Sequence, residues 1–405
     1  MYFEILRPFK NKRILLLQGP LGPFFRRFAE DLSRLNTQVI KVNFNAGDEL
    51  FYPEGINFTA PLSEWPAFLR DLLHNHQIDL IALFGDCREI HMQAKAVAEE
   101  AEVDVYVFEE GYLRPNHITL EHKGVNGYSR LGRLAQMYLQ HHQDEETPAP
   151  PVVEVGKTYW YAVTWAMLYY LAAAIGRYRF PHYQHHRPLT ILEAWPWVRG
   201  TWRKHWFKHQ ERGIFERLTG ELAQRYFLVP LQVHNDFQIS HHSPYQHIEE
   251  FIEEVVRSFA QHAPADTFLV LKQHPFDRGY KDYQPLISRL CAELGIQERV
   301  YYIHDQYLPA LLLNARGVVV INSTVGLSAV EELRPVKVCG EAVYNLPQLT
   351  LQVPLDEFWL AAQDFEANLN DVNQYLTYLC HQTQHNGSFY RRIKGYRHST
   401  GVLWS

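Results

Sequence analysis

The chain has 405 residues, which is enough for two domains that each bury a core of ordinary size. Hydrophobic residues make up 46% and charged residues 21%, a balance typical of globular proteins, and the net charge of -6 argues against a general nucleic-acid-binding protein. The four cysteines form no C-x-x-C pair, so we expect neither a zinc site nor a disulfide framework, and a reduced, cytoplasmic setting fits best. The first residues, MYFEILRPFKNKR, have no apolar segment behind their charges, so no secretory signal is expected.

Short apolar runs in the first part of the chain predict buried β-strands, and most of them end in glycine or an acidic residue. They are RILLLQG (13–19), QVIKVNF (38–44), LIALFGD (80–86) and VDVYVFEEG (103–111). The segments PFFRRFAEDLSRLN and HMQAKAVAEEAE lie between them and have helical spacing. This alternation of strands and helices predicts a parallel sheet.

The second half repeats the pattern with the runs YFLVPLQ, TFLVLKQ, RVYYIHD, GVVVINS and PVKVCG. The predicted fold class is therefore α/β, with two Rossmann-like domains facing a cleft and a helical, tryptophan-rich insertion between them. We predict an N-terminal domain over 1–150, the insertion over 151–215, a C-terminal domain over 216–390 and a basic tail over 391–405. Ligands of such sheets bind beyond the carboxyl ends of the strands, so the residues after each strand are the candidates for function.

The insertion contains an uncharged aromatic stretch, residues 158–176, with Lys157 before it and Arg177 and Arg179 after it. At about 20 residues it only just reaches the length that spans a bilayer, and its many Tyr and Trp residues favour a helix at an interface. The segment that follows, up to Lys208, mixes tryptophans with cations, which suits a membrane surface with anionic headgroups. A tryptophan-rich helical subdomain buried in the protein is the alternative, and composition does not decide between them.

One carboxylate, Asp236, lies in the polar stretch QVHNDFQISHH after an apolar run. Ser243 and Pro244 resemble a capping box that opens a helix, which predicts that this stretch is a loop at the edge of the sheet. As metal ligands, Asp236 and the histidines at 234, 241 and 242 match no common zinc spacing, and the chain has no D-x-D motif, so no metal site is expected. A turn aspartate with solvated histidines is the simpler interpretation of this stretch taken alone.

Two further strand ends carry polar groups that suit a phosphate. His274 and Pro275 directly follow the run TFLVLK, although an H-P turn is common and is a weak signal by itself. Ser323 and Thr324 follow the run GVVVIN, and Gly326 lies in the first turn of the next predicted helix. Hydroxyl groups and open N–H groups at such a position bind phosphate or sugar hydroxyls, or they only cap the helix.

A pair of acids, Glu109 and Glu110, ends a predicted strand before Gly111, and Arg114 is close enough in sequence to hold an acidic group. Two neighbouring acids can perturb each other, which raises one pKa and suits a general acid or base. The alternative is a solvated acidic turn. Together with Asp236 in the other domain, the pair predicts a cleft with acids on both walls, as in glycosyl transfer.

The order of these motifs resembles the KpsS/LipB capsule polysaccharide proteins, which are relatives of the KpsC type. The matching motifs are FEEGYLRP...TLE..GVN..S, PLQV..DFQI...SP, LKQHP, INSTVGLSAVEELRPV and G...YNLP.LT, and they span roughly residues 13–350. The resemblance implies a retaining β-Kdo glycosyltransferase of GT-B architecture, with the acceptor held mainly by the N-terminal domain and the donor, CMP-Kdo, mainly by the C-terminal one.

The resemblance also implies roles for individual residues. Asp236 would be the nucleophile that attacks the anomeric carbon of Kdo, and Glu109, or else Glu110, would assist the acceptor hydroxyl. His274 would contact the phosphate of CMP and help it leave, so that neither a metal nor another cofactor is expected. Gln232, Gln238 and Arg114 would orient the sugar and its carboxylate, and Ser323, Thr324 and Gly326 would line the nucleotide side. Further candidates for substrate or nucleotide binding are Gly19, Lys272, Pro275 and Asn322.

For the KpsS type, the implied reaction adds the first Kdo to a phosphatidylglycerol-type lipid and starts a poly-Kdo linker for capsule. The implied location is peripheral, on the cytoplasmic face of the inner membrane, with a KpsC-type linker-extending enzyme and the capsule export machinery as partners and no nucleic acid. Two other functions stay open: a non-catalytic glycolipid-binding partner in capsule assembly or export, and a CMP-sialic-acid-type glycosyltransferase. The EEGYLRP motif speaks against the second.

Overall fold

The computed structural model describes residues 5–141, 149–184, 194–396 and 398–404. Residues 185–193 of the predicted insertion and the side chain of Trp197 lie outside the described part. The chain divides into two units. The first comprises residues 1–130, 148–191 and 377–405, and the second comprises residues 131–147 and 192–376.

Twelve strands occur among the described residues. They are β1 (Arg13–Leu16), β2 (Gln38–Asn43), β3 (Ile56–Asn57), β4 (Leu80–Phe84), β5 (Asp104–Glu110), β6 (His117–His122), β7 (Tyr226–Pro230), β8 (Phe268–Lys272), β9 (Val300–Ile303), β10 (Gly317–Val320), β11 (Val336–Val338) and β12 (Gln384–Asn386). All nine strands predicted from apolar runs are confirmed. The short strands β3, β6 and β12 were not predicted, because none of them has a continuous apolar run.

The helices of the first unit are α1 (Phe24–Ser33), α2 (Ala46–Phe51), α3 (Trp65–His76), α4 (Glu89–Glu100) and α6 (Tyr159–Ile175). Those of the second unit are α5 (Leu131–His141), α7 (Ala194–Gln210), α8 (Ile214–Thr219), α9 (Phe237–His242), α10 (Ile248–His262), α11 (Gln284–Leu294), α12 (Leu308–Asn314), α13 (Thr324–Glu331) and α14 (Leu355–Ala361). Helix α15 (Leu369–Gln382) begins in the second unit and ends in the first.

The sheet of the first unit has the strand order β12-β6-β5-β4-β1-β2-β3. Strands β1 to β5 run parallel, whereas β6 and β12 are antiparallel to their neighbours. Alternate residues of β1 face opposite sides, as a strand requires. Leu15 packs in a core with Trp65, and Leu16 packs in a second core with Phe28 and Trp404. Both faces of this sheet are therefore buried.

The sheet of the second unit has the order β11-β10-β7-β8-β9, and all of its strands are parallel. Its central strand β7 is buried at every position. In each unit the strand order reverses at one place, between β1 and β4 or between β7 and β10. Ligands of Rossmann-like sheets bind beyond the carboxyl ends of the strands at such a reversal. Both units are Rossmann-like, which confirms the predicted α/β fold class.

The unit boundaries differ from the predicted ones at the insertion and at the C-terminus. The predicted insertion is divided, because α6 belongs to the first unit and α7 to the second. The predicted tail over 391–405 is not separate from the fold. Trp404 is fully buried, and the Asp31 carboxylate accepts hydrogen bonds from the backbone and hydroxyl of Thr400 at 3.0 and 2.6 Å. Apolar burial and this buried carboxylate hold the C-terminal residues against α1.

Candidate functional site

Asp236 caps a short helix at the carboxyl edge of the second sheet. It is the N-cap of α9, and its Oδ1 accepts a hydrogen bond from the backbone N–H of Gln238 at 2.9 Å. The amide of Gln232 donates to Oδ2 at 3.2 Å. The stretch after Asp236 was predicted to be a loop, and this was wrong. The carboxylate is oriented both by a helix N-terminus and by a side chain from the end of β7.

The capping box predicted at Ser243 is also wrong. Helix α10 begins at Ile248, with His247 at its N-cap. The hydroxyl of Ser243 instead donates to the carbonyl of Ile239 at 2.6 Å and so closes the end of α9. The periodic apolar pattern located α10 correctly, but the cap-like residues before it belong to the end of the preceding short helix.

Gln232 also joins two strand ends across the reversal in strand order. Its Nε2 donates to Oδ1 of Asn322 at 2.9 Å, and its Oε1 accepts from the backbone N–H of Asn322 at 3.3 Å. The amide of Asn322 donates in turn to the carbonyl of Gln238 at 2.9 Å. Gln232, Asp236, Gln238 and Asn322 are thus brought together by these hydrogen bonds.

Asp277 connects the loop after β7 to the loop after β8, and the sequence interpretation missed it. Its buried carboxylate accepts from the backbone N–H of His234 at 2.7 Å and lies 2.6 Å from Nδ1 of the same residue. The loop that carries Asp236 is therefore tied to the loop that carries His274. The only signal in the sequence is an acid two residues after the H-P pair.

His274 is the N-cap of a single turn of 3-10 helix, Pro275–Asp277. The backbone N–H of Phe276 donates to Nδ1 of His274 at 3.1 Å. Since Nδ1 accepts this hydrogen bond, a neutral His274 carries its proton on Nε2. This arrangement makes Nε2–H a donor, which is the role expected toward a phosphate. Lys272, at the end of the preceding strand, is buried, and burial lowers the pKa of its ammonium group.

Three predicted nucleotide-side residues lie at the start of α13. Ser323 is the N-cap, and its hydroxyl accepts from the backbone N–H of Val325 at 3.2 Å. Thr324 is the first residue of the helix. A Cβ at Gly326 would lie 2.2 Å from the hydroxyl oxygen of Tyr344, which itself donates to the carbonyl of Ser323. Glycine is therefore required here by the packing of Tyr344, whatever else the position does.

The three histidines near Asp236 each have their own partner. Nδ1 of His241 lies 2.9 Å from the carbonyl of Phe237, and Nδ1 of His242 lies 3.2 Å from Oε2 of Glu341, while His234 bonds Asp277. Among the described residues, no group of three or more His, Cys, Asp or Glu side chains is arranged to hold a metal ion.

In the first unit, Glu109 and Glu110 end β5 with their side chains on opposite faces of the sheet. Oε1 of Glu109 accepts from the backbone N–H of Glu110 at 2.9 Å, and its Oε2 lies on the side of Gly85, at the end of β4. Oε1 of Glu110 accepts from the hydroxyl of Tyr390 at 2.7 Å, on the other side. The two acids therefore do not face each other.

The C-terminal residues support this edge of the first sheet, which the sequence did not reveal. Burial, followed by the charge of Glu110, raises the pKa of Tyr390 well above its ordinary value, so its hydroxyl stays a donor. The side chain of Gln384 in β12 accepts from the backbone N–H of Tyr112 at 2.8 Å. The turn after the two acids is thus held by residues from the far end of the chain.

Gly19 and Arg114, two predicted binding residues of the first unit, have local contacts. A Cβ at Gly19 would lie 2.7 Å from the ring of Phe25, so close packing requires glycine there. The exposed Arg114 donates from Nε to the carbonyl of Gly111 at 3.2 Å. Neither contact tests the predicted role in binding.

A buried acid, Glu121, lies beside this turn. The hydroxyl of Tyr112 donates to its Oε1 at 2.7 Å, and Ser129 donates to its Oε2. Burial raises the pKa of Glu121 to about 7 despite these hydrogen bonds. Glu121 belongs to the TLE motif, for which the sequence suggested no separate role.

Comparison with known proteins agrees with these motifs. Residues 79–390 match the family described as "Capsule polysaccharide biosynthesis protein". The chain is 42% identical over 383 residues to the capsule polysaccharide export protein KpsS of Escherichia coli, covering 94% of this chain and 97% of that protein. It is 38% identical over 391 residues to the capsule polysaccharide modification protein LipB of Neisseria meningitidis serogroup A, covering 94% of this chain and 92% of that protein.

Among solved structures, KpsC from Thermosulfurimonas dismutans, described as a β-Kdo 2,4 transferase, matches with a TM-score of 0.40 and 15% identity, covering 89% of this chain and 97% of that one. The family match extends over more than half of the chain, and both sequence relatives align over nearly their full length. The resemblance inferred from the motifs is confirmed, and the chain belongs to the capsule polysaccharide biosynthesis protein family.

Proposed function

We propose that the protein is a retaining β-Kdo transferase that uses CMP-β-Kdo to add the first Kdo to a phosphatidylglycerol-type lipid, starting the poly-Kdo linker of a capsular polysaccharide. The observation that supports this most is the orientation of Asp236, whose carboxylate is held by Gln232 and by the backbone of Gln238. A turn residue needs only one of these contacts. Membership of a capsule polysaccharide family supports the substrate class.

In the first displacement, a carboxylate oxygen of Asp236 attacks the anomeric carbon of Kdo. The bond between that carbon and the phosphate oxygen of CMP breaks, and CMP leaves with the electron pair. The Nε2–H of His274 donates to the departing phosphate, in keeping with the hydrogen bond that Nδ1 accepts from Phe276. The product of this step is a glycosyl ester of Asp236 with inverted configuration.

In the second displacement, Glu109 takes the proton of the acceptor hydroxyl, and the acceptor oxygen attacks the same carbon. The ester bond to Asp236 breaks, and the second inversion restores the β configuration, as retention requires. Glu109 is favoured over Glu110 because the carboxylate of Glu110 is engaged by Tyr390. The reaction converts CMP-Kdo and the lipid into Kdo-lipid and CMP, with no metal in the proposed steps.

The proposed arrangement is that of a GT-B enzyme, with the donor on the second unit and the acceptor on the first. Gln232, Gln238 and Arg114 orient the sugar and its carboxylate. The candidates for nucleotide binding are Lys272, Pro275, Asn322, Ser323, Thr324 and Gly326, with Gly19 on the acceptor side. The protein would act as a peripheral protein on the cytoplasmic face of the inner membrane and pass its product to a KpsC-type enzyme and the capsule export machinery.

The decisive experiment incubates the purified protein with CMP-Kdo and a fluorescent phosphatidylglycerol, with and without EDTA. We expect a Kdo-lipid product that needs no metal and is lost in Asp236→Asn, together with a Kdo adduct on Asp236 in intact-mass spectra. Unchanged transfer by Asp236→Asn would contradict the double displacement. Lipid binding without transfer would instead support a non-catalytic partner in capsule assembly or export. Transfer from CMP-sialic acid but not from CMP-Kdo would support a CMP-sialic-acid-type glycosyltransferase.

A further inference from the structure

The outer face of α6 exposes large apolar side chains along its whole length. Trp160 is 72% exposed, Met167 67%, Leu171 58% and Ile175 67%, and Tyr178 is exposed just beyond the helix. Residues at this spacing lie along one side of a helix, and we call these five residues the α6 stripe. A contiguous apolar surface of this kind is rare on a monomeric soluble protein unless something binds to it.

The inner face of α6 is firmly attached to the first unit. The hydroxyl of Tyr169 donates to Oδ1 of Asp48 at 3.0 Å and accepts from Nδ2 of Asn45 at 2.6 Å. A Cβ at Gly47 would lie 2.8 Å from the carbonyl oxygen of Tyr169, so the backbones of α2 and α6 approach closely. Rotating α6 would remove the hydroxyl donor of Tyr169 from the buried carboxylate of Asp48. Only the outer face of α6 is therefore available to a partner.

Positive charges lie at both ends of the stripe. Lys157 precedes α6, Arg177 follows it, and no acidic residue occurs from 155 to 180. The guanidinium of Arg391 lies 5.6 Å from the ring centre of Tyr161, beside the start of the stripe. An apolar surface with aromatic residues and cations around it matches the boundary between acyl chains and anionic headgroups.

We propose that the α6 stripe docks the protein onto a bilayer that contains anionic phospholipid. With 17 residues, α6 is about 25 Å long and lies flat on the bilayer, because its inner face is occupied. No helix among the described residues is long and apolar enough to cross a membrane. The proposal deepens the proposed function, on which it rests for the identity of the acceptor, by naming the surface through which the first unit reaches that lipid.

Helix α6 is also connected to the candidate acceptor side. The indole N–H of Trp165, on α6, donates to the backbone carbonyl of Tyr390 at 3.0 Å, and the hydroxyl of Tyr390 bonds Glu110. A docked α6 therefore holds the segment that supports the end of β5. This continuity favours a lipid surface on α6 over an unrelated protein partner.

The test is vesicle flotation of the full-length protein. Vesicles of phosphatidylcholine alone are compared with vesicles in which part of the lipid is phosphatidylglycerol. The test variant combines Met167→Gln, Leu171→Gln and Ile175→Gln, since glutamine preserves helix propensity and these side chains are exposed. The matched control is Leu360→Gln, a residue of similar exposure, 55%, on α14 of the second unit.

We expect the wild type and Leu360→Gln to float with phosphatidylglycerol vesicles, and the triple variant to bind them at least about tenfold more weakly with an unchanged melting temperature. Arg177→Glu, which leaves the apolar stripe intact, should weaken flotation at low salt and much less at high salt. The triple variant measures the apolar contribution to vesicle binding, and Arg177→Glu measures the electrostatic contribution. A folding defect in one variant therefore does not decide the result.

Several results would overturn the proposal. These are equal flotation of the triple variant and wild type, equal binding to vesicles of phosphatidylcholine alone, or loss of flotation only in Trp202→Gln, on the exposed aromatic side of α7. A dimer that dissociates in the triple variant, with no flotation of wild type, would assign the stripe to a second copy. Transfer of Kdo to a short-chain, water-soluble phosphatidylglycerol is measured in parallel. If the wild type does not transfer Kdo to this acceptor, the proposed function is contradicted. If the wild type transfers Kdo but does not float with phosphatidylglycerol vesicles, only the docking surface is contradicted.

Discussion

The hydroxyl of Tyr390 donates a 2.7 Å hydrogen bond to Oε1 of Glu110, across 280 residues of sequence. Because Glu110 is engaged in this way and Glu109 lies on the other face of β5, the two adjacent acids have different surroundings. The sequence left open which of them assists the acceptor hydroxyl. Their surroundings favour Glu109 for catalysis and a positioning role for Glu110.

Glu109→Gln should therefore lower kcat for Kdo transfer by about 100-fold or more, since a general base contributes about that much. Glu110→Gln and Tyr390→Phe should each retain activity within about tenfold. Tyr390→Phe should lower the free energy of unfolding by about 1 kcal/mol through loss of the hydrogen bond, whereas Glu110→Gln keeps an amide oxygen that accepts from Tyr390 and should change it less. Transfer rates and urea denaturation of the three variants provide the comparison. A larger catalytic loss in Glu110→Gln than in Glu109→Gln would reverse the assignment.

Asp236 is both a helix cap and the proposed nucleophile, and two substitutions separate these roles. Asn is as good an N-cap as Asp, so Asp236→Asn should remove transfer, by about 1,000-fold or more, with little change in stability. Asp236→Ala should remove transfer and also cost about 1 kcal/mol of stability. If Asp236→Asn keeps substantial activity while Asp236→Ala loses it, the residue acts only through the cap.

Gln232 offers a test through pH, because its Nε2 lies 3.2 Å from Oδ2 of Asp236. Gln232→Glu places a second carboxylate there, which raises the pKa of one of the two acids. Since the nucleophile must be ionised, the acid limb of the pH–rate profile should move to higher pH by about one unit or more. Gln232→Met, which adds no charge, should lower activity without moving that limb. Identical shifts in both variants would contradict the charge argument.

His274→Asn keeps an acceptor for the backbone N–H of Phe276 but removes the Nε2–H donor. We expect the melting temperature to change little and kcat/KM for CMP-Kdo to fall by about 100-fold, as for loss of an acid that assists a leaving group. The measurement is initial rates at varied CMP-Kdo concentration. Full activity in His274→Asn would leave His274 with only its capping role.

The buried acid Glu121 predicts a pH dependence of stability. Its pKa is about 7 in the folded protein and 4.5 when unperturbed, so the folded state binds the proton more tightly. This tighter proton binding contributes up to about 3 kcal/mol to the free energy of unfolding. The contribution is fully present below pH 4.5 and is lost as the pH rises through about 7. Glu121→Gln should lack this decrease in the free energy of unfolding. Parallel decreases in variant and wild type, from urea titrations at several pH values, would assign the effect to other groups.

The strands were predictable because their signal is local. Runs such as RILLLQG and GVVVINS are apolar on both faces, as strands buried on both sides of a sheet must be, and all nine became strands. The strand β12 could not be found in this way. Its residues Gln384 and Asn386 are polar, and it exists because it pairs with β6 of the first unit.

Two kinds of information are thus separated in this protein. The sequence alone determined the alternation of strands and helices, the family, and the positions at strand ends where Asp236, His274 and the two glutamates would lie, since these follow from local periodicity and ordered motifs. Only the tertiary structure decided that Asp236 caps a helix, that Asp277 ties two loops together and that Glu110 is paired with Tyr390. Such contacts join residues distant in sequence, and packing and the need to satisfy buried polar groups select them.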